Sequence, residues 1–290
     1  MSRAERARTT AATPVMGAMT TMNTADVVDS VVNASDRPRR VPVVTDRDLC
    51  ILRDLFDSRI LTAAHLADIH FNGSRDAVRQ RIPVLKAARL IAARPRATPY
   101  EPEVLTLAKA GFDLLLNKGE LADFPAMTWD AMEKRCRVSP LTLRHELAVG
   151  DFKAAVHAAA RRAEGVRVVE FLTWPALSRF TSRRTLPGGY TKSVDVKADA
   201  FARLVHATTG GDAEHVFFAE IDRSTETLDR IVARASAYAT HYQSGNFAKW
   251  MGGDGTDVAA YPFRVLWLFK STQRLLHFAR GCLNSRRSAA

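Results

Sequence analysis

Phe217-Phe218-Ala219-Glu220-Ile221-Asp222-Arg223-Ser224-Thr225 is the stretch on which the reading of this chain turns. Two aromatic residues lead into two carboxylates spaced two apart, so at strand periodicity Glu220 and Asp222 share one face of a sheet. About twenty residues upstream, Val196-Lys197-Ala198-Asp199-Ala200-Phe201 carries another acid. If the two segments pair as strands, Asp199 and Glu220 converge, and hard oxygen ligands of that kind suit Mg²⁺ or Mn²⁺. Beside a basic surface, such a pair suggests phosphodiester chemistry or its remains. The competing reading has Asp222 and Thr225 capping the helix that follows.

The surface is indeed basic. The 290 residues carry a net charge of +11, with an isoelectric point near 10.0, which favours an anionic partner such as nucleic acid. Three widely spaced cysteines, Cys50, Cys136 and Cys282, make neither a disulfide framework nor a CxxC metal pair, and a reducing, cytoplasmic setting is expected. No apolar run approaches the roughly 18–20 residues that span a bilayer, so no membrane partner is expected.

Residues 1–42 are rich in Ala, Thr, Ser and Arg without periodicity and read as a disordered basic arm ending in Arg37-Pro38-Arg39-Arg40-Val41-Pro42. From residue 43 the pattern becomes helical. Thr45 or Asp46 caps a helix carrying Leu49, Leu52, Leu55 and Phe56; Thr62 opens a second with Leu66 and Ile69; a third follows Asn72-Gly73-Ser74 with Val78, Ile82 and Leu85 on one face. Pro83 predicts a kink or an early end to that third helix. Two short strands around a Pro-rich turn and a closing helix then complete a winged helix-turn-helix over residues 43–118. Residues 75–96 hold seven basic residues (Arg75, Arg79, Arg81, Lys86, Arg89, Arg94, Arg96) and one acid, over half the net charge of the chain. A basic recognition helix and wing are what docking to duplex DNA requires, so Arg75, Arg79, Arg81, Lys86, Arg94 and Arg96 are the expected DNA contacts. A winged helix used for protein contact is the alternative.

Residues 119–138 read as a linker with a short helix near Trp129. Beyond it, residues 139–290 predict a helix to about residue 163, strands at 166–172, 197–205 and 215–222, a helix at 226–242, a strand at 263–269 and a last helix: an α-β-β-β-α-β order, α/β in class and α+β over the whole chain. His145 falls on the apolar stripe of the first of these helices and reads as a core histidine. His65 and His70, five apart, share no helix face and make no zinc pair. Tyr190, Tyr238 and Tyr242 lack the histidine cluster that would accompany a tyrosine nucleophile. Residues 258–290 hold six basic residues and no acid, a second face for phosphate.

The α-β-β-β-α-β order, with acids on the second and third strands, resembles the PD-(D/E)xK nuclease superfamily. The winged helix, His145-Glu146-Leu147-Ala148-Val149-Gly150-Asp151, Asp199, the Phe217 to Arg223 stretch and Arg234-Ala235-Ser236-Ala237-Tyr238 together resemble the replication-relaxation family. The resemblance implies a DNA-binding protein of a plasmid or other mobile genetic element, acting in replication, relaxation or transfer. It implies a restriction-endonuclease-like domain that places Asp199 and Glu220 as ligands of Mg²⁺ or Mn²⁺, with Asp222, Arg234 and Lys197 completing a candidate catalytic set for a DNA nickase. The implied partners are double-stranded DNA, a second copy of the chain, and replication or transfer proteins. Two departures weigh on catalysis. Ala198 stands where a proline usually precedes the first acid, and Asp222 and Arg234 stand where the superfamily uses lysine. Arginine stabilises phosphoryl charge but does not readily lose a proton to activate water. The alternative is a non-catalytic replication or transcription regulator whose degenerate nuclease fold serves dimerisation or DNA clamping.

Overall fold

Local capping sets the start of each early helix in the computed structural model, which describes residues 43–96, 98–177, 179–185 and 191–287. The arm expected at residues 1–42 lies outside them. Helix α1 (Asp46–Ser58) opens with a reciprocal box between Thr45 and Asp48, and α2 (Ala63–His70) with one between Thr62 and His65. Ser74 caps α3 (Arg75–Ala87). The apolar stripes of the three helices (Leu52, Leu55 and Phe56; Leu66; Val78, Ile82 and Leu85) meet in one core. Strands β1 (Leu61–Thr62), β2 (Ile91–Ala93) and β3 (Val104–Leu107) pair antiparallel in the order β1-β3-β2 against it, and α4 (Lys109–Asn117) closes it.

Two expectations change here. Helix α3 does not end early at Pro83 but runs through it to Ala87. Proline removes a single backbone bond, and the buried Ile82 and Leu85 on either side of it hold the last turn to the core. Residues 119–138 carry the expected short helix, but this segment, exposed or half-buried over 119–131, also packs on the first core. The Phe124 ring sits edge-on to Phe56, with centroids 5.0 Å apart, Trp129 packs on Phe112, and Met132 in α5 (Trp129–Cys136) is fully buried.

The second half is built on helix α6 (Pro140–Arg162) and a four-stranded sheet. Its strands are β4 (Val166–Leu172), β7 (Ala200–Thr208), β8 (Gly211–Asp222) and β9 (Arg264–Phe269), in the order β4-β7-β8-β9. Strands β8 and β9 are parallel, joined by α7 (Leu228–Gln243) and α8 (Asn246–Trp250); the other pairs are antiparallel. Helix α9 (Thr272–Arg287) follows β9. Alternation along β8 sends Ala219 and Ile221 toward α6, where Val149 and Phe152 cover them. Phe218 goes the other way, into an aromatic cluster with Phe201, Tyr238 and Phe247.

The expected strand order is present, with one addition. A hairpin of β5 (Phe180–Thr185) and β6 (Thr191–Val196) precedes β7. Its polar sequence, broken by Pro187-Gly188-Gly189, shows no clean apolar alternation. The strand expected from residue 197 begins at Ala200, so Asp199 occupies the bend just before it.

A polar seam joins the halves. Lys153 of α6 is 1% exposed and donates to Asp54 Oδ1 at 2.7 Å, Ser58 Oγ at 3.2 Å and Asp57 Oδ2 at 3.5 Å. His70 Nε2 lies 2.6 Å from the other oxygen of Asp54. Burial raises the pKa of Asp57; at Asp54 burial acts the same way, but Lys153 and His70 prevail and hold the carboxyl below its usual range. Gly150 lets α6 approach α2, because a Cβ there would lie 2.6 Å from the His65 ring. Arg59 adds a two-pronged pair to Glu146 at 2.9 and 2.7 Å.

Removing one partner of a buried charge network strands the others without water. Lys153→Ala should therefore cost about 3–5 kcal/mol, measured by urea unfolding at neutral pH. A loss no larger than that of an exposed lysine would show that the seam does not hold the halves together.

Candidate functional site

The acids singled out from the sequence do meet. Strand β7 is registered so that Ala200 faces Ala219, and the Asp199 N–H donates to the Ala219 carbonyl at 3.1 Å. Asp199, Glu220, Asp222, Lys197 and Arg234 all line one cleft of about 290 Å³ between the sheet edge and α7, and His145 from α6 lines it too.

Every oxygen of the two principal acids is already engaged. Glu220 is 1% exposed; its Oε2 accepts from Arg234 at 2.7 Å and its Oε1 from the Tyr238 hydroxyl at 2.6 Å. Burial pushes its pKa up to about 7, with the Asp199 charge adding and the Arg234 charge opposing. Asp199 Oδ2 accepts the Ile221 N–H at 2.7 Å, and Oδ1 lies 2.9 Å from His145 Nε2. That hydrogen bond raises the pKa of His145 against the effect of its burial. Asp222 Oδ1 accepts the Ser224 N–H at 3.0 Å, closing a turn, and Oδ2 accepts Arg274 Nε at 2.7 Å. Asp222 therefore does not cap the following helix, contrary to the competing reading; it closes a turn ahead of the helix and pairs with α9. Thr225 does not cap α7, whose N-cap is Thr227.

This arrangement does not fit the Mg²⁺ or Mn²⁺ site expected at Asp199 and Glu220. A hard cation needs free carboxylate oxygens, and these face an arginine, a tyrosine, a histidine and a backbone N–H. Among the described residues no cluster of three or more His, Cys, Asp or Glu side chains is placed to hold a metal ion. His65 and His70 pair with separate carboxylates, Asp151 and Asp54.

His145 is a cleft residue rather than a satisfied core histidine: its helical stripe reaches the sheet edge where Asp199 turns. The signal was in the His145 to Asp151 stretch, whose apolar positions masked it. Tyr238 is 2% exposed, and burial together with the Glu220 charge raises its pKa well above the tyrosine range, so its hydroxyl is a donor to Glu220 and not a nucleophile. Tyr242 packs edge-on against Phe263, and Tyr190 lies outside the described residues.

The basic residues of the first half divide into two groups. Arg75 and Arg79 of α3 keep 51% and 78% of their side-chain surface in solvent, and Arg96 is also exposed. Their partners lie at the surface: Asp68 at 3.6 Å from Arg75, Asp76 at 3.1 Å from Arg79 and the Pro99 carbonyl at 3.5 Å from Arg96, while the other three expected contacts are themselves half-buried. Arg81 holds the buried Asp48 in a two-pronged pair and also donates to the Val43 carbonyl at 2.8 Å. Lys86 pairs with Glu103, and Arg94 donates to the Val138 carbonyl. A buried carboxylate such as Asp48 demands a partner, and charge counting along the sequence does not reveal which arginine is committed to one.

The family model for replication-relaxation matches residues 52–254 of the chain. No curated protein and no solved structure matches it significantly. Among the described residues no helix is long and apolar enough to cross a membrane.

The elevated pKa of Glu220 sets a pH dependence. Its folded value lies above 4.5, so the folded state holds the extra proton between about pH 4.5 and 7. The contribution of this group is complete below that window and is lost as pH rises through about 7. Urea unfolding at several pH values should show wild-type stability falling across the window relative to Glu220→Gln. Parallel curves for the two proteins would contradict the assignment.

Proposed function

The chain belongs to the replication-relaxation family, and we propose that it binds duplex DNA of a mobile genetic element, with its second half acting as a nuclease-like scaffold that holds DNA without cutting it. In this reading α1 to α3 and the β2–β3 hairpin form a winged helix, α3 is its recognition helix and the hairpin its wing. The observation that carries the proposal is the division of labour among the cations. Arg81, Lys86 and Arg94 hold buried or half-buried partners, whereas Arg75 and Arg79, exposed themselves, make only surface pairs, with Asp68 and Asp76, and the exposed Arg96 donates only to the Pro99 carbonyl among the described residues, so these three exchange their weak partners for phosphates at little cost. The non-cutting half of the proposal rests on the cleft, where cations and a tyrosine occupy the oxygens a metal would need. Arg234 pairs with both Glu220 and Glu226, at 2.7 and 2.6 Å, and cannot serve as a base.

Replacing Arg75, Arg79 and Arg96 together by alanine should weaken duplex binding and lower the salt slope by about 0.9 per lost phosphate contact, read by fluorescence anisotropy over a salt series. Arg81→Ala should instead lower the melting temperature. Unchanged duplex affinity in the triple variant would mark the winged helix as a protein-binding module. Nicking of supercoiled plasmid in Mg²⁺ by wild type but not by Glu220→Gln would restore the nickase reading.

A further inference from the structure

Trp174 leaves 40% of its surface in solvent, yet the chain beneath it is fixed like a core loop. Buried Thr173 donates its N–H to Asp57 Oδ1 at 3.1 Å and its hydroxyl to the Asp57 carbonyl at 2.9 Å. The carbonyl of Trp174 itself accepts from Arg135 at 2.5 Å. Arg135 is 8% exposed, and burial lowers its pKa to about 10. Leu177, 2% exposed, ties the far side of the loop into the second core. An exposed indole forgoes the hydrophobic gain of burial, so the bonds that pin its backbone present the ring without stabilising it.

The surroundings of the ring are cationic. The Arg135 guanidinium carbon lies 5.3 Å from its centroid and Lys197 Nζ 4.6 Å from it. Lys197 is exposed, makes no ion pair among the described residues, and also lines the carboxylate cleft. Arg223, at the same cleft, donates among the described residues to one backbone carbonyl, that of Arg144 at 3.1 Å. A rigid aromatic face beside a lysine that has no ion pair is the arrangement by which proteins hold unpaired strands, stacking a base and pairing its phosphate without reading sequence.

We propose that Trp174 and Lys197 form a binding site for an unpaired DNA strand. A base stacks on the indole in place of the Lys197 ammonium, and the ammonium turns to the adjoining phosphate. Bases inside a duplex have their faces covered by their neighbours and cannot use the ring, so the site selects DNA that has been opened. This rests on the DNA-binding reading above and adds a second strand state to it, bound at a different place from α3.

Anisotropy of the full chain with a labelled oligothymidylate and with a duplex of the same length separates the two. Trp174→Ala should weaken oligothymidylate binding about tenfold and leave duplex affinity as in wild type, while Trp174→Phe retains most of the binding. Lys197→Gln should lower the oligothymidylate salt slope by about 0.7. Wild-type affinity for oligothymidylate in Trp174→Ala overturns the proposal, as does an equal loss for both ligands in Trp174→Phe with an unchanged melting temperature. A wild type that binds oligothymidylate through Trp174 but ignores duplex leaves this site standing and removes the winged-helix reading instead.

Discussion

The ammonium of Lys153, buried among Asp54, Asp57 and Ser58, is the interaction on which the arrangement of this protein depends. It comes from the helix that begins the second half and neutralises acids from the first helix of the other. Asp57 then serves both sides. Its carboxylate and carbonyl fix Thr173, and its carbonyl and that of Phe56 receive Arg135 from the segment between the halves. Charges removed from water this completely cannot slide past one another, because any shift leaves one of them unpaired. The basic face of α3 and the carboxylate cleft are therefore held in one fixed relation.

The cleft follows the same electrostatic logic. Three acids that would repel one another when ionised are each given a hydrogen-bonding partner: His145 for Asp199, Arg234 for Glu220, Arg274 for Asp222. A divalent ion is one way to relieve such repulsion. Here three helices, α6, α7 and α9, each supply a side chain that does the same work. The arrangement also explains why Arg234 suits its position better than lysine would: its fork spans Glu220 and Glu226 together.

Much of this was legible in the sequence, and the limits are physical. The alternation around Glu220 placed two acids on one sheet face, and the helical stripes placed the early helices, because one-dimensional periodicity reports which face is buried. The convergence of Asp199 and Glu220 was expected from pairing their two segments as strands, although Asp199 sits in the bend before β7; Arg234 was expected from the family resemblance. Hydrogen-bond partners were not legible. Nothing in the spacing of Arg81, Lys86 and Arg94 distinguishes them from Arg75, and the difference lies in Asp48, Glu103 and the Val138 carbonyl, distant in the chain. No local pattern sets Lys153 apart from a surface lysine on an amphipathic helix. The role of residues 119–138 depended on aromatic packing between Phe124, Phe56, Trp129 and Phe112, which no local pattern announces.

The account stands or falls on whether the acids of the cleft are committed to cations or available to a metal. Equilibrium binding of Mn²⁺ to the full chain, followed by electron paramagnetic resonance at neutral pH, asks this directly. Occupied carboxylates predict only weak, non-saturating association that is the same in wild type and in Glu220→Gln. One tightly bound Mn²⁺ per chain, absent from Glu220→Gln, would contradict it.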